Sequence, residues 1–170
     1  MSGLHLLSEI LNSLLYILPA YVANASACIF GGGKPLDLNK CWPDGRRLLG
    51  DGVTIKGSFF GILLGTLTGF IEGLFFNAPL LYLKLGFTLS LGAILGDAIG
   101  SFIKRRLNIE RGKPAPLLDQ LDFAIGALIL GSLIKPIAIH QVFIILLITI
   151  FIHLFANILA YSLKIKDVWW

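Results

Sequence analysis

The stretch from Leu95 to Arg106, LGDAIGSFIKRR, places a carboxylate at the end of a long apolar run. An ionisable residue at that depth in a membrane is costly unless it is paired, so Asp97 is a candidate functional residue. If a helix continues beyond it, Ser101, Lys104 and Arg105 follow at i+4, i+7 and i+8 and share its face. The pattern therefore predicts a polar cluster at one end of a membrane helix.

Two further carboxylates, Asp119 and Asp122, follow the sequence KPAP, whose prolines suit a helix start. Their spacing of three places them on one face of that helix. Together with Asp97 they make three acids among basic residues at adjacent helix ends. Carboxylate oxygens and substrate phosphates are ligands that Mg²⁺ prefers, so this set favours metal-assisted nucleotidyl or phosphoryl transfer. The alternative is a structural role: Asp119 and Asp122 interact favourably with the positive end of the helix dipole, and Asp97 pairs with Lys104 or Arg105.

A polar segment over residues 28–56 supplies a second group of candidates. It is too long for a tight turn, and loops of that length are usually functional or disordered. Its glycines allow backbone amides to approach an anion, and Arg46, Arg47 and Lys56 add charge for phosphates. The GGGK sequence is no Walker motif, because Pro35 stands where Ser or Thr is required and no strand precedes it.

The elements that must position these residues are membrane helices. Of the 170 residues, 56% are hydrophobic and 14% charged, and the mean hydropathy is +0.83, far from ordinary globular usage. Each of five apolar stretches approaches the ~20 residues that a spanning helix needs. They predict an all-α, single-domain protein over residues 1–170 with spans at 4–27, 57–77, 79–99, 121–139 and 141–163 and functional loops at 28–56 and 100–120.

Basic residues are concentrated in three segments that five spans would place on one side of the membrane. Five of the 14 lysines and arginines lie within 34–56, five within 104–113 including Arg111, and Lys164 and Lys166 end the series. The positive-inside rule makes that side cytoplasmic, with the amino terminus outside. Trp169 and Trp170 are expected to anchor the carboxyl terminus at the interface.

Glycine spacing predicts close helix packing. The second span carries a glycine at every fourth position, namely Gly57, Gly61, Gly65, Gly69 and Gly73. Such small-residue ridges let backbones approach in lipid, where apolar burial no longer drives association. The ridge predicts a tight bundle, and it could also form a homodimer interface.

Two further expectations concern charges and prolines within the spans. Lys84 is expected to snorkel toward the membrane surface. The alternative is a pair with Glu72, since each lies six residues from Ala78 in the turn and so at the same depth. Pro19 and Pro136 are expected to bend or break the first and fourth spans.

The combination G-D-x-x-x-S-x-x-K-R, followed by D-x-x-D, resembles the signature of the membrane CTP:phosphatidate cytidylyltransferases, which make CDP-diacylglycerol. The segments FGGGKPLD, DGRRLLGDGVTIKG and PLLDQLDF resemble the archaeal branch of that family, the CDP-archaeol synthases, more closely still. The resemblance covers nearly the whole chain.

The resemblance implies transfer of a cytidylyl group from CTP to 2,3-bis-O-geranylgeranylglycerol 1-phosphate, with release of pyrophosphate. It implies that Asp97, Asp119 and Asp122 bind one or two Mg²⁺ ions, and that a monovalent cation assists. Lys104 and Arg105 are expected to hold phosphates. The other expected contacts to the triphosphate or the lipid head group are Thr54, Lys56, Arg46, Arg47 and Ser101.

Other functions remain open from the sequence. The lipid substrate could instead be phosphatidate. A small transporter or channel would use Glu72, Lys84, Asp97 and His153 as a path, but most charges collect at one membrane face instead of crossing it. A non-catalytic anchor on anionic lipids would leave the three acids and their spacing unexplained. Membrane lipids are the expected surroundings, and no nucleic acid is expected as a partner.

Overall fold

The computed structural model describes residues 3–110 and 112–164, which form five helices. Arg111, Lys166, Trp169 and Trp170 lie outside the described residues. Four helices are long and apolar enough to cross a membrane, which confirms an all-helical membrane protein. The helices are α1 (Gly3–Ile29), α2 (Ile55–Phe75), α3 (Pro79–Arg106), α4 (Leu118–Gly131) and α5 (Ile139–Ser162).

The third and fourth helices differ from the predicted spans. The helix predicted over 79–99 continues to Arg106, so the basic cluster is helical and not part of a loop. The helix predicted over 121–139 ends at Gly131 and has 14 residues, fewer than the ~20 of a full span. The expected break of this span at Pro136 is confirmed, although the helix ends five residues before it. In a continued helix Pro136 would lack the amide hydrogen and its ring would clash with the carbonyl of Ser132, the C-cap residue. By contrast, α1 runs through Pro19 as one continuous helix.

The glycine ridge of α2 packs inside the chain. A Cβ added to Gly61 would come within 2.8 Å of the Ala23 carbonyl oxygen on α1. A Cβ on Gly73 would come within 2.7 Å of Pro79 Cα at the start of α3. All five ridge glycines are buried, so the predicted ridge makes contacts within the bundle.

A second glycine contact joins α3 to α4. A Cβ on Gly126 would lie within 2.9 Å of Gly96 Cα and would also meet the Gly92 carbonyl oxygen. Beside this contact, the fully buried residues Leu89 and Ala124 form part of the core between α1, α3 and α4. The two backbones can approach this closely only because neither carries a side chain there.

The bundle end farthest from the basic loops has its own polar contacts. Lys135, in the turn after α4, donates to the Tyr82 hydroxyl at 3.0 Å, and the Tyr16 hydroxyl donates to the Lys135 carbonyl at 2.9 Å. Glu72 is buried, and its Oε1 atom has no hydrogen-bond partner among the described residues. Lys84 is exposed on α3, and the alternative pair with Glu72 is wrong, because the two side chains form no ion pair.

We predict that Gly126→Ala destabilises the protein by about 1–3 kcal/mol, since the added methyl group would meet backbone atoms of α3 that cannot rotate away. Thermal unfolding of the purified protein in detergent micelles measures the effect. Gly52→Ala is the matched control, because a Cβ at Gly52 has no neighbour within 4 Å. Equal melting temperatures for both variants would contradict the close α3–α4 contact.

Candidate active site

The structure brings the three predicted acids to one end of the bundle. Asp97 lies on α3, Asp119 and Asp122 lie on α4, and all three are half-buried. A Cβ on Gly100 would come within 2.9 Å of Asp122 Cγ, so the missing side chain makes room for that carboxylate. The charges of Asp97 and Asp119 both act on Asp122, which places the three acids in one electrostatic cluster.

Each acid on α4 also has contacts within the protein. Asp119 Oδ1 accepts a hydrogen bond from Lys104 Nζ at 2.7 Å, and its Oδ2 accepts one from the Ala115 amide at 2.7 Å. Asp122 Oδ1 accepts from the Phe123 amide at 2.6 Å. The Lys104 contact joins the last turn of α3 to the first turn of α4, as a partly buried ion pair.

The donor chemistry of this cluster fits a hard divalent cation. No three His, Cys, Asp or Glu side chains of residues 3–110 and 112–164 form a ready-made metal site. Mg²⁺, however, usually takes one or two carboxylates together with waters and substrate phosphates, so a complete protein cage is not required. Such carboxylates are provided here by Asp97, Asp119 and Asp122. Because Asp119 Oδ1 pairs with Lys104, a metal ion that binds this oxygen must share it with Lys104 or displace Lys104.

A cleft with a volume of about 220 Å³ lies between loop 30–54 and the end of α3. The Nε atom of Arg105, a residue that lines this cleft, is buried and has no hydrogen-bond partner within the described part of the chain, as is also true of Arg106 Nε. A buried guanidinium nitrogen without an acceptor suits a phosphate oxygen. The cleft is lined by Arg46, Arg47, Gly50, Asp51, Arg105, Asn108, Ile109 and Glu110.

Loop 30–54 is fastened to the end of α3 by reciprocal arginine contacts. Arg46 Nη1 donates to the Arg106 carbonyl at 2.6 Å, and Arg106 Nη2 donates to the Arg47 carbonyl at 2.7 Å. Arg106 also lies 3.3 Å from Asp44 and 4.8 Å from the ring centroid of Phe102. Arg46, which was predicted to bind phosphate, therefore donates to a carbonyl at the end of α3. Carbonyl groups in the last turn of a helix have no hydrogen-bond partner within the helix.

Asp37 is the residue at this site that the sequence analysis missed. Its side chain is 1% exposed, although it lies in a polar loop. Its carboxylate accepts two hydrogen bonds from Arg47, at 2.8 and 3.2 Å, and three from backbone amides at 3.0 Å, those of Asn39, Leu49 and Gly50. The only signal was its place at the end of FGGGKPLD, four residues after the last glycine of the run.

These contacts explain the acidity of Asp37. Burial raises the pKa of its carboxyl, but the hydrogen bonds from Arg47 and from the amides of Gly50, Leu49 and Asn39 outweigh burial. The pKa therefore lies well below its usual range, and the carboxylate stays charged throughout the neutral range.

The remaining predicted residues are placed away from the cleft or have structural contacts. Thr54 is buried and caps α2, since its Oγ1 accepts from the Gly57 amide at 3.1 Å. Lys56 is exposed, Ser101 is buried on α3, and neither they nor Thr54 line the cleft. The structure thus places the three acids with Lys104 in one group, and Arg46, Arg47 and Arg105 at the cleft. Thr54, Lys56 and Ser101 do not line the cleft.

Known proteins resemble this chain over nearly its whole length. The family model described as CarS-like: CDP-archaeol synthase matches residues 6–170. A CDP-archaeol synthase of Methanocaldococcus jannaschii is 62% identical over 93% of this chain and 96% of its own length, and one of Methanococcus aeolicus is 51% identical over 95% and 97%. A solved structure of an intramembrane enzyme for archaeal membrane lipids biosynthesis is 43% identical, with a TM-score of 0.82 over 88% of this chain and 94% of that one.

We predict that Asp37 stabilises the fold down to unusually low pH. Because its pKa is depressed in the folded state, its contribution is complete above the ordinary value of 3.8 and is lost as pH falls toward the folded value. The difference in melting temperature between the wild type and Asp37→Asn should stay constant from neutral pH to about pH 5 and shrink below 3.8. A difference that already shrinks between pH 7 and 5 would contradict the depressed pKa.

Proposed function

The chain belongs to the CDP-archaeol synthase family, and we propose that its reaction takes place where α3, α4 and loop 30–54 meet. It is a membrane cytidylyltransferase of archaeal lipid biosynthesis and uses CTP as its substrate, so the family resemblance seen in the sequence is confirmed. The match favours the ether-lipid phosphate, 2,3-bis-O-geranylgeranylglycerol 1-phosphate, over phosphatidate, and it gives no support to a transporter or a passive anchor.

The observation that carries the site proposal is that three carboxylates and a guanidinium with an unsatisfied nitrogen lie at the same end of the bundle. Asp122 lies against α3 and is under the charges of Asp97 and Asp119. The buried Arg105 Nε is available to an acceptor at the end of the same helix. The carboxylates can bind a metal cation, and the guanidinium can bind phosphate oxygens. Both groups at one end of the bundle suit a reaction between two phosphate compounds.

In this reaction an oxygen of the lipid phosphate forms a bond to the α-phosphorus of CTP. The bond from that phosphorus to the bridging oxygen breaks, and pyrophosphate leaves with the electron pair. The attacking oxygen is already anionic, so the protein needs no strong base. Its task is to align two like-charged reactants and to offset their charge, as in other phosphoryl transfers.

We assign Asp97, Asp119 and Asp122 to one or two Mg²⁺ ions, which when bound neutralise phosphate oxygens and orient them for in-line attack. Lys104 is held 2.7 Å from Asp119, so its ammonium group stays at the acid cluster and can move onto a phosphate oxygen. A monovalent cation remains part of the proposal through the family resemblance alone.

Arg105 and Arg47 are the proposed contacts to the triphosphate, because both line the cleft. Arg46 and Thr54 act through the fold: Arg46 holds the end of α3, and Thr54 caps α2. Two weaker contacts are also proposed. Lys56 is proposed to contact the lipid head group, and Ser101 is proposed to contribute at the acid cluster.

We further propose that the chain crosses the membrane five times, with the site on the cytoplasmic side. Asp119 pairs with Lys104 at one end of α3, and Lys135 bonds to Tyr82 at the other end. The segment from α4 to Lys135 therefore runs alongside α3 between residues 82 and 104, a distance of roughly 33 Å at 1.5 Å per residue. That length matches the hydrocarbon core, although the helical part is short.

We predict that Asp97→Asn, Asp119→Asn and Asp122→Asn each lower the rate of pyrophosphate release by at least about 100-fold, because each removes a charge that a divalent cation needs. The assay uses purified protein, CTP, lipid phosphate and Mg²⁺. Removal of divalent cations by a chelator should abolish the wild-type activity, and Mg²⁺ should restore it. Glu9→Gln is the control, since Glu9 lies near the far end of α1 and binds His140. Full activity in all three amide variants would overturn the assignment.

We predict that Cys41 faces the cytoplasm. It is exposed in loop 30–54, and Cys28→Ser leaves it as the sole cysteine. A membrane-impermeant maleimide should label it in inverted vesicles and not in intact cells. A cysteine-free background carrying Leu4→Cys should give the reverse pattern, because that position begins α1. Labelling of Cys41 from outside intact cells would refute the orientation.

A further inference from the structure

We propose that Asp37 is a positioning residue for nucleotide binding, which fixes the Arg47 side chain and the Leu49–Gly50 turn in the form that receives phosphate beside Arg105. This inference rests on the proposed function, since it takes the cleft as the site of the CTP phosphates. Asp37 does not itself line the cleft and acts only through the groups that it holds.

The first group is the guanidinium of Arg47. Its Nη2 and Nε atoms meet the two different oxygens of Asp37 at 2.8 and 3.2 Å, a side-on pair of the kind that fixes both position and plane. Arg47 nevertheless keeps 28% of its side chain exposed at the cleft. Arg47 Nη2 also lies 3.1 Å from Asp51, which lines the same cleft, so a phosphate that binds Arg47 must share or displace this second carboxylate. The pair with Asp37 therefore orients the guanidinium at the cleft.

The second group is the turn at Leu49 and Gly50. Both amides donate to Asp37 Oδ2 at 3.0 Å, so one carboxylate oxygen sets the path of this stretch. Gly50 has a φ of +89°, a conformation that favours glycine. A Cβ at Gly50 would lie 3.9 Å from Arg105 Nη1, so the turn forms the wall that faces the proposed phosphate ligand.

Hydrogen bonds that do not involve Asp37 also hold the loop, so a positioning role of Asp37 can be distinguished from a role in folding. Leu36 donates to the Val53 carbonyl at 2.9 Å and Ile55 donates to the Lys34 carbonyl at 3.1 Å, which closes the base of the loop. The arginine contacts with α3 fasten its tip. Loss of the Asp37 charge is therefore expected to shift Arg47 and the Gly50 turn while the rest of the loop stays attached.

The test compares steady-state KM values for CTP and for the lipid phosphate in full-length variants. Asp37→Asn keeps the size of the side chain but places an amide nitrogen against donors, so KM for CTP should rise about tenfold. KM for the lipid phosphate should change by less than about twofold, since that substrate is not assigned to the cleft. Asp44→Asn makes the same chemical change in the same loop, at a partly exposed ion pair with Arg106, and should alter both KM values by less than about twofold.

The Arg105→Gln variant separates the positioning role of Asp37 from the assignment of the cleft to the CTP phosphates. A raised KM for CTP in Arg105→Gln with no change in Asp37→Asn would overturn the role of Asp37 and leave the cleft assignment intact. Unchanged KM values for CTP in both variants would overturn the cleft assignment itself. Equal rises in the KM of both substrates in Asp37→Asn would indicate general loosening of the loop and contradict positioning.

If Asp37→Asn does not purify as a folded protein, Asp37→Ser is the second variant. Its hydroxyl can still accept a hydrogen bond from a loop amide but has no charge to hold Arg47, so KM for CTP should again rise about tenfold while KM for the lipid phosphate changes by less than about twofold. An unchanged KM for CTP in Asp37→Ser would overturn the inference.

Discussion

The close approach of α3 and α4 is the constraint on which the rest of the site depends. Gly92 and Gly96 on α3 meet Gly126 on α4 backbone to backbone, and Gly100 leaves room for the Asp122 carboxylate. A bulkier residue at these points would push α4 outward and take Asp119 and Asp122 away from Asp97. In lipid such contacts also provide much of the association energy between helices, so one feature serves both stability and chemistry.

Charge is arranged differently on the two sides of the proposed site. The acid cluster brings three carboxylates within electrostatic range of one another, and Lys104 pairs with one of them. Such an arrangement favours the arrival of a cation. Across the end of α3, arginines are held by acceptors in the loop and the helix end, and Arg105 keeps a buried nitrogen unsatisfied. A substrate that brings both a cation and phosphates would relieve both conditions together.

The sequence could predict what depends on local pattern. Apolar length predicted the helices, and the i+3 spacing of Asp119 and Asp122 placed them on one face. The sequence could not predict contacts set by helix rotation, which is why a Glu72–Lys84 pair remained an alternative although Lys84 is exposed. It predicted a bend or break at Pro136 but not the end of α4 at Gly131, because the place where the helix stops depends on how neighbouring helices accommodate the break. Asp37 and Thr54 show the same limit, because burial and capping within a long loop are tertiary properties.

The central claim is that a single site joins the acids of α3 and α4 to the arginines beside loop 30–54. The most direct measurement is an experimental structure of the protein bound to Mn²⁺, located by its anomalous scattering, and a non-reactive CTP analogue. The account predicts a metal ion at about 2.2 Å from carboxylate oxygens of both helices, with analogue phosphates on that ion and on Arg105. A metal ion held by other residues, or a triphosphate bound away from the end of α3, would contradict it.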